Sequence, residues 1–198
     1  MEVFDEDKLE RQLQRLAAWK RVAFMAQIGV RMLPNYERFS AETGYGDVSV
    51  LKRAFDAAWS WVESEELPDD LVALREACER QAPNTEQFRS PYTSAALDAA
   101  NAAAATLDAI AHPDESRSSE VASLARDTVD LFVQELLNLD PNTPGFEEAI
   151  LRHDLMQREL RRQREDLEAL MKWTGPRSPA SRKLRVTSEA SSGSLAEP

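Results

Sequence analysis

The chain has 198 residues, 42% of them hydrophobic and 30% charged, with a formal net charge of −11 and a single cysteine. That length suits one domain, and the excess of acid disfavours nucleic-acid phosphates and anionic membrane surfaces while favouring a basic protein partner. No apolar run reaches the roughly 18 residues of a membrane span, and the start MEVFDEDKLE is not the basic-then-apolar pattern of a signal peptide, so a cytoplasmic protein is expected.

Few glycines and long runs of Ala, Leu, Glu, Arg and Gln predict an all-α fold. Between Asp5 and Leu33, Leu9, Leu13, Leu16, Val22, Met25 and Met32 recur at helical spacing, and Trp19, Phe24 and Ile28 widen the stripe. This fits one long helix, or two with a break near residues 17–19. Pro34 biases Leu33 towards extended backbone and suits a first helical turn, so 34–44 reads as a separate short helix with Tyr36 and Phe39 inward. In Gly44-Tyr45-Gly46-Asp47, Gly44 can take the left-handed conformation beyond a helix end and Asp47 can cap the next helix. The result is a tight corner.

The helix from about Val48 to Glu65 places Leu51, Phe55, Ala58, Trp59 and Val62 on one face and leaves Trp61 off it. After Leu67-Pro68-Asp69-Asp70 a short helix carries Leu71, Leu74, Ala77 and Cys78, ending at Pro83-Asn84. Ser90-Pro91 opens a helix to about Ala111 whose alanine density lets neighbours approach closely, so it is expected at the centre. His112-Pro113-Asp114 closes it. A further helix spans about Ser118 to Leu139, and a loop covers 140–145. A last long helix runs from Phe146 to about Trp173. Its apolar stripe is narrow and interrupted by Gln163, which predicts packing on the outside of the bundle or against a coiled-coil partner.

Residues 175–198 turn to Ser, Pro, Arg and Gly with little apolar content, and are expected to be a disordered basic tail beyond a helical domain at 1–174. The expected architecture is a single bundle of seven or eight helices.

Neither histidine lies in a metal-ligand spacing. His153 reads most simply as a packed residue and His112 as a helix-end cation. Cys78, on an apolar face without a basic neighbour, reads as an inert core residue. No phosphate loop, nucleophile elbow or dinucleotide fingerprint is present, so no catalytic, cofactor-binding or metal-binding set is expected. Asp56 and Asp98 are expected to pair with Arg31, Arg53 or backbone donors. Trp19, Tyr36, Tyr45, Trp59 and Trp61 have the composition of a ligand pocket, but helical spacing favours core.

The ordered set Arg15-Leu16, Trp19, Phe24-Met25-Ala26, Arg31-Met32, Pro34-Asn35-Tyr36, Phe39, Thr43-Gly44, Gly46-Asp47, Arg53, Asp56 and Trp59 resembles the bacterial YjaG-like family, a domain of unknown function. Looser similarity continues from Phe88 through Tyr92 and Leu97-Asp98-Ala99 to about Lys172. The resemblance implies an all-helical bundle and no nameable catalytic activity or cofactor. Trp19, Arg31, Asn35, Tyr36, Gly44, Gly46, Asp47, Trp59 and Asp98 stand out as signature or pocket candidates.

The expectation for function is a non-enzymatic protein acting through self-association, as a homo-oligomer, or through an acidic face and a basic partner. One alternative is a small-molecule enzyme or sensor with a pocket of Tyr36, Asp47, Trp59 and Asp98. Another is an acidic, antitoxin-like neutraliser of a basic partner.

Overall fold

The structure is a computed structural model describing residues 1–112, 115–190 and 193–195, with residues 115–117 described as backbone only. Among the described residues there are nine helices and no strand. They are α1 (Glu6–Leu13), α2 (Ala18–Thr43), α3 (Val48–Ser64), α4 (Leu71–Glu79), α5 (Thr93–Ala111), α6 (Glu115–Leu137), α7 (Phe146–Arg152), α8 (Asp154–Lys172) and α9 (Arg177–Glu189). The all-α reading holds. The predicted break after the alanine-rich helix includes Pro113 and Asp114, which lie outside the described residues.

Two helices organise the bundle. The first, α5, packs against α2, α3, α4 and α6, with Ala96, Ala99, Ala100, Ala102 and Ala103 fully buried. Alanine leaves no side-chain bulk between axes, so four neighbours can crowd one helix. The second, α2, packs against α3, α5, α6, α8 and α9 and buries Phe24, Met25, Ile28, Met32, Tyr36 and Phe39.

The chain departs from its predicted elements in three places. First, α2 separates from α1 near residues 14–17 but runs unbroken through Pro34. A proline inside a helix costs about 3 kcal/mol. Continuing the helix buries Tyr36 and Phe39 beyond it, and burial of side chains this large is worth about 1.5–3 kcal/mol each, which offsets that cost.

Second, the long C-terminal helix is two helices. His153 takes extended backbone (ψ 140°) between α7 and α8, and its Nδ1 accepts the Leu155 N–H at 3.3 Å, so it is a cap of α8. The new axis turns α8 inward. Gln163, read as an interruption, is buried, as is Glu159.

Third, the segment expected to be a disordered tail from 175 contains α9, packed on α2 and α3, and residues 193–195 also lie against the bundle. Composition misjudged it because its ordering rests on charge pairing, small buried residues (Ala180, Ser181, Ser188) and only two large apolar ones, Leu184 and Leu195, rather than on an apolar stripe. Residues 191–192 and 196–198 of the expected tail lie outside the described residues.

Candidate functional site

The aromatic corner is held by backbone acceptors at the end of α4. Gly44 (φ +71°) ends α2 in the left-handed region, and the Asp47 carboxylate accepts the Ser49 N–H at 2.9 Å to start α3. The Tyr36 hydroxyl donates to the Gln81 carbonyl at 2.8 Å, while the Asp47 N–H donates to Gln81 Oε1 at 2.8 Å. Gly46 is required twice over: its φ is +78°, and a Cβ there would stand 2.0 Å from the Tyr36 hydroxyl. Tyr36, Phe39, Tyr45 and Phe88 pack edge-on or tilted around the corner. Burial pushes the Tyr36 phenol up and out of reach of neutral-pH chemistry. The Asp47 carboxyl, by contrast, is held low by its bonds to Ser49.

Arg31 and Asn35 lie one turn apart on α2, on a polar stripe facing α8. Arg31 donates to Asp166 at 2.6 Å, its Nη2 stands 3.6 Å from Glu159 Oε1, and Gln27 donates to the other Asp166 oxygen at 2.9 Å. Gln163 closes the group by donating to Glu159 at 2.9 Å and to the Ala122 carbonyl of α6 at 3.0 Å. Arg31 and Glu159 are 3% and 1% exposed. Burial opposes the Arg31 charge, but Glu159 and Asp166 more than compensate and hold its pKa above the usual value. Asp166 is raised by burial despite Arg31. The cluster is sealed, so its chemistry is that of a buried ion pair rather than of an open site.

Asn35 donates to Ser194 Oγ at 2.7 Å, the Ser194 N–H donates to the Arg31 carbonyl at 2.9 Å, and Arg158 donates to the Ser194 carbonyl at 2.9 Å. Beside this contact an open groove of about 760 Å³ is lined by Pro34, Asn35, Arg38, Tyr92, Phe132 and Leu195, among others.

The third group lies where α9 meets α3. Arg177 sits over the rings of Trp19 (5.7 Å) and Trp61 (5.6 Å), pairs with Glu65, and donates to the Val62 and Trp61 carbonyls at 3.0 and 3.1 Å. Trp61, off the main stripe of α3, thus makes a second contact. Arg182 pairs with Glu63 at 2.9 Å and Arg185 with Asp56 at 2.5 Å. The Ser178 hydroxyl donates to Glu63 at 2.8 Å, and with Arg182 it holds that carboxyl low. Beneath the C-terminal end of α9 lies a cavity of about 200 Å³ between Val30, Leu33, Phe55, Asp56 and Trp59. The Trp59 indole is 2% exposed, and its Nε1 has no acceptor.

The structure therefore gathers Tyr36, Gly44, Gly46 and Asp47 at one corner, Arg31 and Asn35 at the α2–α8 seam, and Trp19 and Trp59 at opposite ends of the α9 seat. Asp98 stands apart. It accepts the Thr128 hydroxyl of α6 at 2.7 Å, and burial pushes its pKa up to about 6. The expected partners change accordingly: Arg31 pairs with Asp166, Arg53 with Asp70, and Asp56 with Arg185. Cys78 is buried and its thiol is pushed up to about 12, as an inert core residue would be. Among the described residues no three His, Cys, Asp or Glu side chains could hold a metal ion, and no helix is long and apolar enough to cross a membrane.

Sequence reasoning missed Glu159, Gln163 and Asp166 and the three arginines of α9. Part of the signal was present as spacing: 159, 163 and 166 step by four and three along one helical face, and 182 and 185 lie three apart on another, whereas Arg177 falls outside that step.

Comparison with known proteins gives this geometry a family. Uncharacterized protein YjaG of Escherichia coli (strain K12) is 30% identical over 94 residues, 48% of each chain, and its counterpart in Salmonella typhimurium is 28% identical over a stretch of the same length. The aligned stretch spans about half the length of these curated relatives. The crystal structure of a DUF416 family protein from Shewanella baltica OS155 has the same fold, with a TM-score of 0.87 at 22% identity, covering 94% of this chain and 96% of that one. A family model described as "Protein of unknown function (DUF416)" matches residues 8–194, a span that takes in α9, and the chain belongs to that family.

Proposed function

We propose that this chain is a non-enzymatic helical protein that works through protein–protein contacts, using an acidic face to hold a basic helical partner. The observation that carries the reading is α9 itself. A helix with four Arg/Lys in its first nine residues is seated on α3 by pairing with Asp56, Glu63 and Glu65. The surplus of acid extends across α6 and α7, where residues 115–152 hold eight Asp/Glu against three Arg. Such a field speeds encounter with a basic partner and disfavours an acidic one. A labelled basic amphipathic peptide should bind the full chain saturably, more weakly in about 500 mM than in about 50 mM salt, as anisotropy would show. An equal response to an acidic peptide of the same length would remove the reading.

A small-molecule role is the second reading. Its support is the groove of about 760 Å³ beside Pro34 and Asn35, within the roughly 300–1,000 Å³ typical of ligand sites. A thermal-shift metabolite screen tests it. A ligand whose stabilisation is lost in Tyr92→Ala, with the peptide response unchanged, would favour this reading over the first.

A further inference from the structure

The manner in which α9 is held differs from that of the other long helices. Its buried side chains are Ala180, Ser181 and Ser188, all small, Leu184 is partly buried against the core, and Val186 is 65% exposed. Less apolar area is therefore removed from water than at α2 or α5, where large side chains are fully buried. What remains is one arginine, Arg177, anchored at the N-terminal end on Trp19, Trp61 and two carbonyls, and charge pairing at the surface beyond it. Arg182 and Glu63 are 75% and 37% exposed, and Arg185 and Asp56 are 39% and 60% exposed. Pairs this open gain little over their solvated states and weaken with salt.

The seat beneath is better built than its occupant. Val30 and Leu33 of α2 and Phe55 and Trp59 of α3 form an apolar floor, and Asp56, Glu63 and Glu65 form an acidic rail beside it. The fit of α9 to this floor is incomplete: a cavity of about 200 Å³ remains at its C-terminal end. The cavity has room for one longer side chain and is smaller than most metabolite sites.

We propose that the α2–α3 surface is a docking groove for a basic helix and that α9 is its self-supplied plug, displaced when a partner's basic helix takes the same seat. The partner helix has Arg or Lys spaced to meet Asp56, Glu63 and Glu65, small residues on its inner face, and one longer residue entering the cavity. This deepens the preceding reading and rests on it. A plugged groove binds in trans with an affinity reduced by the fraction of time it stands open, so loosening the plug raises apparent affinity without touching the groove.

The test uses the full chain and a labelled peptide with the sequence of residues 177–189. Wild-type protein should bind it weakly. Arg182→Glu with Arg185→Glu, both on the plug, should bind it at least about tenfold tighter. Asp56→Arg with Glu63→Arg, on the rail, should not bind it. Circular dichroism on each variant separates loss of the groove from loss of the fold, and Glu63→Gln, a milder change on the rail, should weaken binding in the plug-loosened background. Equal, salt-sensitive affinity for wild type and the plug variant would overturn the plug while leaving a basic-partner role standing. Undiminished binding to the folded rail variant would overturn the groove. No saturable binding to any form would overturn both.

Discussion

The α2–α8 and α3–α9 seams are both held by arginines facing carboxylates, yet the same chemistry serves opposite ends. At the first seam Arg31, Glu159, Gln27 and Gln163 are at most 5% exposed, and their hydrogen bonds span α2, α6 and α8. At the second, Arg182 is 75% exposed and Glu65 66%. A charge taken out of water must keep its partner, because losing one strands the other at a cost of several kcal/mol. A charge left in water can change partners cheaply. The buried set therefore fixes which helices meet, and the exposed set permits exchange.

The sharpest way to break this contrast is Arg31→Met. It leaves Glu159 and Asp166 buried without their cation and is expected to cost about 3–5 kcal/mol in urea denaturation. A loss below about 1 kcal/mol would mean that the cluster is solvated like the α9 pairs.

Asp98 is a natural control: a largely buried carboxyl with a hydroxyl donor but no cation, and Asp127 nearby adds like charge. Its folded pKa of about 6 lies above the unfolded value, so the folded state binds the extra proton between about pH 4 and pH 6. Stability from this group is thus greatest at low pH and falls as pH rises through about 6. Asp98→Asn keeps an acceptor for Thr128, and should stabilise the protein by about 2 kcal/mol at about pH 8 and by nearly nothing at about pH 4. A pH-independent effect would assign the gain to packing. Gly29→Ala comes next, because a Cβ there would stand 2.2 Å from the Phe55 ring. Its cost should be about 1–2 kcal/mol, at the low end for overpacking, since the cavity beside Phe55 gives the ring room to move. A larger cost would show that the floor under α9 is as rigid as the α2–α8 seam.

Much of the first half of the fold was legible because its signals are local. Gly44 and Asp47 announced their corner through backbone conformation and capping, and the alanine run announced a crowded centre. Pro34 misled, since a breaker rule weighs one residue's lost hydrogen bond, while the continuing helix is decided by burial of Tyr36 and Phe39 against distant elements. The polar seam was invisible for the same reason. Nothing near Arg31 in sequence shows that its partners lie more than 120 residues away in α8. Of the nine candidate residues, Tyr36, Gly46 and Asp47 converge as one structural unit, whereas Trp59 and Asp98 lie in separate interfaces. Hydrophobic patterning carries no information on that point. It also underrated α9, whose order comes from its seat on α2 and α3 more than from its own composition.

The smallest expected effect is the most discriminating. Arg182→Gln removes one exposed pair and should lower the unfolding temperature by no more than about 3 °C in about 50 mM salt, with the difference gone in about 500 mM as screening shortens to a few ångströms. The Glu63 carboxyl is held low by Ser178 and Arg182, so its contribution is present above the ordinary carboxylate range and is lost as pH falls through the lowered folded value. The pair is therefore fully formed at neutral pH, and acid does not confound the measurement. The same substitution should nevertheless raise capture of the 177–189 peptide, because loosening a plug changes how often the groove is open more than it changes how stable the bundle is. A fall of more than about 6 °C with no gain in capture would make α9 an integral part of the bundle, and the two seams would then differ in exposure but not in role.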